Sequence, residues 1–294
     1  MIRKLFSSRV RRSFSVGGFL LISISLLSCQ QSVSDKKTDA EVKKDSTNAL
    51  KLGSAVQITI STNDIAKSQS FYEKLGFKKV ADVGPSIQMC DESILIMLQP
   101  NKEHYVRISY FSNDADKLVD QLEKRGIVFK TKNEDMGMYT RSIFSAPDNI
   151  EVSLVKMDPS GVYKSSGKSW GQMSETERKN VDGYPNKICG AFGEFCFPVK
   201  NCDSSFAFWK QLGFKGDKYT QPYPWASVTD GIFNIGLHQQ TYFNYPALTL
   251  VAPDMAQRIA KLQKQGLKTT DFMGDKNNVI VETPEGFHIF LFQG

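Results

Sequence analysis

The sequence predicts an α+β fold made of two tandem copies of one strand and helix unit, and three observations predict it. Phe71-Tyr72-x-x-Leu75-Gly76-Phe77 returns 137 positions later as Phe208-Trp209-x-x-Leu212-Gly213-Phe214. The turn Pro147-Asp148 returns at the same offset as Pro284-Glu285, and Leu122-x-Lys124-x-Gly126 returns at offset 140 as Leu262-x-Lys264-x-Gly266. Each copy mixes short alternating stretches with two stretches of helical period. Such a pair buries the face its copies share, so function is expected where they meet, at equivalent positions.

In the first copy, residues 56–61 alternate as a strand. Residues 65–75 carry Ile65, Ser68, Phe71, Tyr72 and Leu75 at helical spacing and are closed by Gly76. Three short strands follow at 86–89, 94–98 and 106–111, each bounded by Gly, Pro, Asp or Asn. A second helix fits 115–125, stopped by Gly126, and the last strand runs over 150–155 after Pro147-Asp148. The second copy repeats the order at 194–199, 204–212, 225–229, 233–237, 248–251, 255–265 and 288–292.

Residues 1–28 stand outside the repeat. A basic start of Arg3, Lys4, Arg9, Arg11 and Arg12 precedes an apolar run over 19–27, the pattern of an export signal. The run is far shorter than the roughly 20 residues a membrane span needs. Leu26-Leu27-Ser28-Cys29 resembles the lipobox of bacterial lipoproteins, which implies that Cys29 is diacylated and the preceding peptide removed. Gln30 after that cysteine resembles the outer-membrane pattern of double-membraned bacteria, so the expected location is the cell envelope.

Loss of the signal removes five basic residues and no acidic ones, taking the net charge from +6 to about +1. A near-neutral chain lacks the clustered basic excess of a nucleic-acid binder, and membrane association then rests on the lipid. Residues 29–54 read as the lipidated cysteine and a disordered polar tether. The first module spans 55–157, a Ser, Gly and Lys-rich linker 158–188 with Trp170 to pin it, and the second module 189–294. Cys90, Cys189, Cys196 and Cys202 lack metal-motif spacing. Cys196 and Cys202, six residues apart on an extended segment at about 3.3 Å each, are too distant to bond.

The order strand, Asp/Asn-x3-Ser-x2-Phe-Tyr/Trp-x2-Leu-Gly-Phe, three strands, helix ending in Gly, and Pro-Asp/Glu before a final strand resembles the vicinal oxygen chelate superfamily. It is carried by Asp64, Ser68, Phe71 and Tyr72 in one copy and by Asn201, Ser205, Phe208 and Trp209 in the other. That group includes glyoxalase I, extradiol dioxygenases and the bleomycin and fosfomycin resistance proteins. The resemblance covers nearly all of residues 55–294 and implies paired βαβββ modules of glyoxalase/bleomycin-resistance type, curled into a cup around a ligand.

In metal-dependent members of that superfamily, one ligand comes from the first strand and a Glu from the last strand of each module. The matching positions are Gln57 and Glu194, seven before Asp64 and Asn201, and Ser153 and Phe290, five after Asp148 and Glu285. Ser153 and Phe290 are not usual ligands, so no metal is favoured. A shift of two along the last strands, which keeps the same face, offers Glu151 and His288 instead. A displaced set of Gln57, Glu151, Glu194 and His288 would hold Zn, Ni, Mn or Fe for the Lewis-acid chemistry of a glyoxalase-type lyase or a dioxygenase.

A metal-free cup accounts for more of the residues. Gln57, Glu151, Ser153, Glu194, Cys196, His288, Phe290 and Phe292 combine apolar walls with a few polar anchors, and Tyr223 and Trp225 are placed to stack on a ligand. No nucleophile and base pair stands out. The carboxylate of Glu194 beside Cys196 disfavours a thiolate, and His104 and His238 read as surface residues. The leading expectation is a lipid-anchored, glyoxalase-like protein that binds a small molecule. A metal-dependent lyase or dioxygenase, and a non-catalytic envelope scaffold, are the other two classes, and pairing of chains as a homodimer stays open.

Overall fold

Apolar Val56, Ile58 and Ile60 alternate with Gln57, Thr59 and Ser61, and this alternation builds the first strand and sets which face is covered by helices. The structure is a computed structural model in which residues 50–165 and 167–294 are described. The expected signal, the expected lipidated Cys29 and most of the expected tether lie outside the described residues. Among the described residues no helix is long and apolar enough to cross a membrane.

The first half runs β1 (Ala55–Thr62), α1 (Ile65–Lys74), β2 (Lys78–Val83), β3 (Ser86–Cys90), β4 (Leu95–Pro100), β5 (Val106–Ser112), α2 (Ala115–Lys124), β6 (Phe129–Asp135), β7 (Thr140–Ala146) and β8 (Ile150–Lys156). Among its described residues the linker holds one α-helix, α3 (Glu175–Lys179), and three short 3-10 turns. The second half repeats the series as β9 (Ala191–Pro198), α4 (Cys202–Gln211), β10 (Lys215–Tyr219), β11 (Trp225–Thr229), β12 (Asn234–His238), β13 (Ala247–Ala252), α5 (Met255–Lys264), β14 (Thr270–Phe272), β15 (Asp275–Glu282) and β16 (His288–Gln293).

Each half forms one curved, eight-stranded sheet, in the orders β2-β3-β4-β1-β5-β8-β7-β6 and β10-β11-β12-β9-β13-β16-β15-β14. The fold is α+β with tandem modules, as the sequence predicts, but each copy holds two βαβββ units rather than one. Six strands have no counterpart in the sequence prediction: β2, β6, β7, β10, β14 and β15. β2, β6, β10 and β14 are the outermost strands of their sheets and are largely exposed, so the period-two apolar signal is weak in them. Lys, Glu and Asp on these edges also discourage pairing with other chains.

A second correction follows from this topology. Each sheet is completed within one half, and residues of both halves contribute to a single core on the helix-bearing side, including Ile58, Ile108, Val152, Phe195, Leu248 and Ile289. The opposite, helix-free faces carry separate small clusters, one around Leu95, Phe111 and Val155 and one around Cys196, Phe243 and Phe290. Two cups exist, one per half, instead of one between the copies.

The repeated motifs turn out to be the parts by which each copy holds the other. Asp64 and Asn201 cap α1 and α4 by accepting from Lys67 N and Ser204 N. One turn on, Ser205 Oγ donates to Asp148 Oδ2 of the other half at 3.1 Å, and Lys200 N donates to Asp148 Oδ1 at 3.1 Å. Ser68 Oγ bonds to Glu285 Oε1 in the reciprocal contact. At the far ends, Gly76 and Gly213 have φ of +92° and +94°, the left-handed conformation that ends a helix. A methyl group on Gly76 would lie 2.3 Å from Asn186 Oδ1, and one on Gly213 would lie 2.2 Å from the Leu50 carbonyl oxygen. Asn186 Nδ2 also donates to Leu75 O at 2.8 Å.

That contact corrects the extent of the tether. Leu50 and Leu52 are buried, and Ser54 N donates to Phe111 O at 3.0 Å, so packed chain begins by Leu50 rather than after Ser54. Two leucines suffice to dock a segment whose other residues are polar. In the linker, Trp170 is buried, stacks on Tyr184 at 6.2 Å and lies under the Arg178 guanidinium at 4.9 Å. All four described cysteines are buried free thiols.

Gly213→Ala is expected to destabilise the protein by about 1–2 kcal/mol for the left-handed backbone, plus the displacement of Leu50. Gly84→Ala, with φ +57° and open space around it, should lose only the backbone part. Urea unfolding of the two variants reads the difference.

Candidate ligand site in the second cup

In β9, Phe192, Phe195 and Phe197 enter the shared core. The register shifts between Thr249 and Leu250, whose partners are Glu194 and Phe192, so Gly193 is the extra residue of a bulge. Glu194 and Cys196 thereby share the helix-free face. On the neighbouring β12, Asn234, Gly236 and His238 occupy that face, with Gly236 opposite Cys196 and His238 opposite Trp225 of β11.

Gly236 makes the site. A methyl group there would lie 2.5 Å from the Glu194 carboxylate, so its absence is what lets that carboxylate lie across β12. Glu194 Oε1 reaches His238 Nε2 at 3.0 Å, with both side chains mostly shielded from solvent at 19% and 13% exposure. Tyr223 Oη lies 3.3 Å from His238 Nδ1. A carboxylate only accepts, so Nε2 donates to Glu194, and in the neutral imidazole Nδ1 then accepts from Tyr223. Among the described residues the second oxygen of Glu194 makes no hydrogen bond, which leaves it to receive a donor from a ligand.

Aromatic rings wall this chain of hydrogen bonds. Trp225 stacks on the His238 imidazole at 5.6 Å and 4°, and on Tyr219 on its other face at 4.2 Å and 19°. Phe243 meets His238 edge-on at 5.9 Å and Phe290 at 5.0 Å, and Phe272 and Phe292 extend the cluster. Burial, then the charges of Cys196 and Glu194, push the Tyr223 hydroxyl well up, so it stays protonated and donates. Burial first, and Glu194 second, raise the Cys196 thiol in the same way. It donates to Ala247 O at 3.4 Å, with Thr249 Oγ1 at 3.6 Å. Burial lowers His288, whose Nδ1 has no partner among the described residues and whose ring stacks on Phe290 at 6.5 Å.

The first cup is chemically different. Gln57, Ser109 and Ser153 form one rung across β1, β5 and β8. Gln57 Oε1 accepts from Gln88 Nε2 at 2.6 Å, and the buried Ser153 Oγ has no partner among the described residues. Glu151 is clamped by Arg107 at 3.0 and 2.7 Å and by Lys130 at 3.1 Å. Val162, from the linker, packs onto Cys90, Leu95, Phe111 and Val155 and closes part of this face.

The structure therefore brings together Glu194, Cys196, Tyr223, Trp225, His288, Phe290 and Phe292, and leaves Gln57, Glu151 and Ser153 in the other sheet. The displaced metal set of Gln57, Glu151, Glu194 and His288 is split between the two sheets, and three of its members have other partners. The rung where the superfamily resemblance puts its metal is Glu194–Thr249–Phe290 in the second half, and it does not fit an ion. Phe290 is only 2% exposed there and is packed among Phe243, Phe272 and Phe292. His238 is the functional residue the spacing missed. Carrying period two from Asn234 through Gly236 puts His238 on the cup face, opposite the Trp225 already expected there.

The match to known proteins agrees with this geometry. The model of the Glyoxalase/Bleomycin resistance protein/Dioxygenase superfamily matches residues 54–154. The similarity to that superfamily is thus to residues 54–154, about a third of the chain. The second half repeats the strand order of that region. Solved structures share the fold over both halves. A catechol 2,3-dioxygenase is 13% identical over 81% of this chain and 86% of its own, with a TM-score of 0.53. Homoprotocatechuate 2,3-dioxygenase from Arthrobacter globiformis is 14% identical over 81% and 78%, at 0.55. The Mn(II)-bound glyoxalase from Novosphingobium aromaticivorans is 13% identical over 81% and 80%, at 0.54. No curated protein matches the sequence.

The clamp on Glu151 sets a pH dependence in the first half. Burial alone would raise its carboxyl, but the hydrogen bonds and charges of Arg107 and then Lys130 outweigh it and hold the group below the usual 4.5. A depressed folded pKa contributes stability above the unfolded value and loses it as the pH falls through the folded one. Glu151→Gln should thus be less stable than the parent at pH 7, with the gap narrowing below about pH 4.5. Thermal unfolding of both proteins across pH 3–7 checks it.

Proposed function

We propose that this protein is a lipid-anchored envelope protein whose second cup binds a small, flat molecule carrying a hydroxyl or amine hydrogen. The carrying observation is the Tyr223–His238–Glu194 chain, held against Trp225 and opening onto a ring-lined face. A flat ligand stacks on these rings, and its donor hydrogen goes to the second oxygen of Glu194. The dyad also suits proton transfer, since a proton taken by Glu194 leaves a group already bonded to an imidazole. Catechols are reasonable first candidates, because solved structures of this fold include dioxygenases named for them. The first cup, clamped by Arg107 and Glu151 and partly closed by Val162, serves as scaffold. Each sheet is completed within one half, so the reading needs no second chain.

Thermal stabilisation of the full chain by a panel of catechols, phenols and planar heteroaromatics tests the binding. At least one compound is expected to raise Tm, with affinity falling at least about tenfold in Trp225→Ala and Glu194→Gln, and unchanged in Glu151→Gln. A panel without effect, or effects that ignore Trp225 and Glu194, would refute it.

The anchor has its own test. Fatty-acid labelling and membrane fractionation should show label and membrane association in the parent chain and neither in Cys29→Ala. Labelling that survives the substitution would remove the lipoprotein part of the reading.

A further inference from the structure

We infer that Glu194, Cys196 and His238 form a binding site for one thiophilic divalent cation of the zinc class. The inference deepens the reading of the second cup as the working site and rests on it. One carboxylate oxygen, the Cys196 sulfur and one imidazole nitrogen all lie within 4.8 Å of one another. In a tetrahedral zinc site, metal bonds of about 2.0–2.3 Å put such donors roughly 3.3–3.6 Å apart. Glu194 and His238, now 3.0 Å apart, therefore need to part by only a few tenths of an ångström. The donors come from β9 and β12, neighbouring parallel strands whose backbone bonds fix their spacing. Gly236 of β12, opposite Cys196, leaves the space in which the Glu194 carboxylate lies.

The chemistry of the set is specific. Oxygen, nitrogen and sulfur donors together suit Zn²⁺ or Co²⁺ and not Mg²⁺ or Ca²⁺, which take oxygen. A thiolate and a carboxylate neutralise a divalent charge, so the loaded site is neutral in its mostly buried position. Loading releases one proton, from the Cys196 thiol to solvent. The imidazole proton moves from Nε2 to Nδ1, and the Nδ1–H then donates to Tyr223 Oη. That contact is the outer bond which orients a ligating histidine. Three protein donors leave a fourth position facing the aromatic cup, where a ligand hydroxyl or water completes the sphere. The set shares Glu194 with the rung that Phe290 fills but takes its other donors from Cys196 and His238.

Cobalt titration of the full chain after chelator treatment tests the site. One equivalent should give thiolate-to-cobalt charge-transfer absorption, release one proton, and be displaced by Zn²⁺. Cys196→Ser should abolish the band, Glu194→Gln and His238→Ala should weaken binding at least tenfold, and Tyr223→Phe about tenfold. Because Cys196 is buried, its variant is compared with the parent by metal-free unfolding. Tyr223→Phe keeps every donor and reports even if the Cys196 variant fails to fold. Absence of the band in the parent, or binding indifferent to Glu194, His238 and Tyr223, overturns the inference. Catechol-type binding by metal-free protein with no cobalt band overturns the metal site alone. A cobalt band without any panel ligand overturns the ligand reading and leaves the metal site standing.

Discussion

The reciprocal hydrogen bonds from Ser205 to Asp148 and from Ser68 to Glu285 are the constraint on which the architecture depends. Each takes the turn before the last strand of one copy and fixes it one turn into the first helix of the other. With α1 and α4 held this way, the helix-bearing sides of both sheets close over one core. The helix-free faces stay outside that core and carry their own small clusters. Leu50 and Asn186 complete the lock at the opposite ends of those helices, where only glycine lets a neighbouring chain approach so closely.

Much of this was legible in the sequence because it repeats. The Asp/Asn-x3-Ser and Leu-Gly-Phe patterns recur where a cap, a cross-copy bond and a left-handed helix end all coincide, and four of the five helices follow from ordinary apolar spacing. What escaped is what lacks an apolar rhythm. β2, with Lys78-Lys79 and Asp82, and β6, with Lys130 to Asp135, are edge strands whose exposed residues look like loop. The number of βαβββ units was therefore undercounted, and with it the number of cups.

The site was half legible for a related reason. Glu194, Cys196 and Trp225 sit where strand alternation puts them, and Tyr223 lies in the segment just before Trp225. His238 ends its strand and reads alone as a surface histidine. Its partner is 44 residues away in sequence and reaches it across Gly236 of β12. A glycine in a strand does not announce which side chain will lie over it, so the pairing belongs to the tertiary structure. The two cups show how far equivalent rungs have diverged. Gln57–Ser109–Ser153 faces a salt-bridged, partly closed surface, and Glu194–Thr249–Phe290 faces a ring-lined one.

Gly236 gives this divergence a narrow control point. It has no functional group and would be passed over in any search for reactive side chains, yet the carboxylate occupies the very space its side chain would take. A single methyl group would turn Glu194 away from the imidazole while leaving every reactive residue in place. The difference between a working pocket and an inert one can thus lie in an atom that is not there, and an inventory of conspicuous residues alone would not distinguish the two.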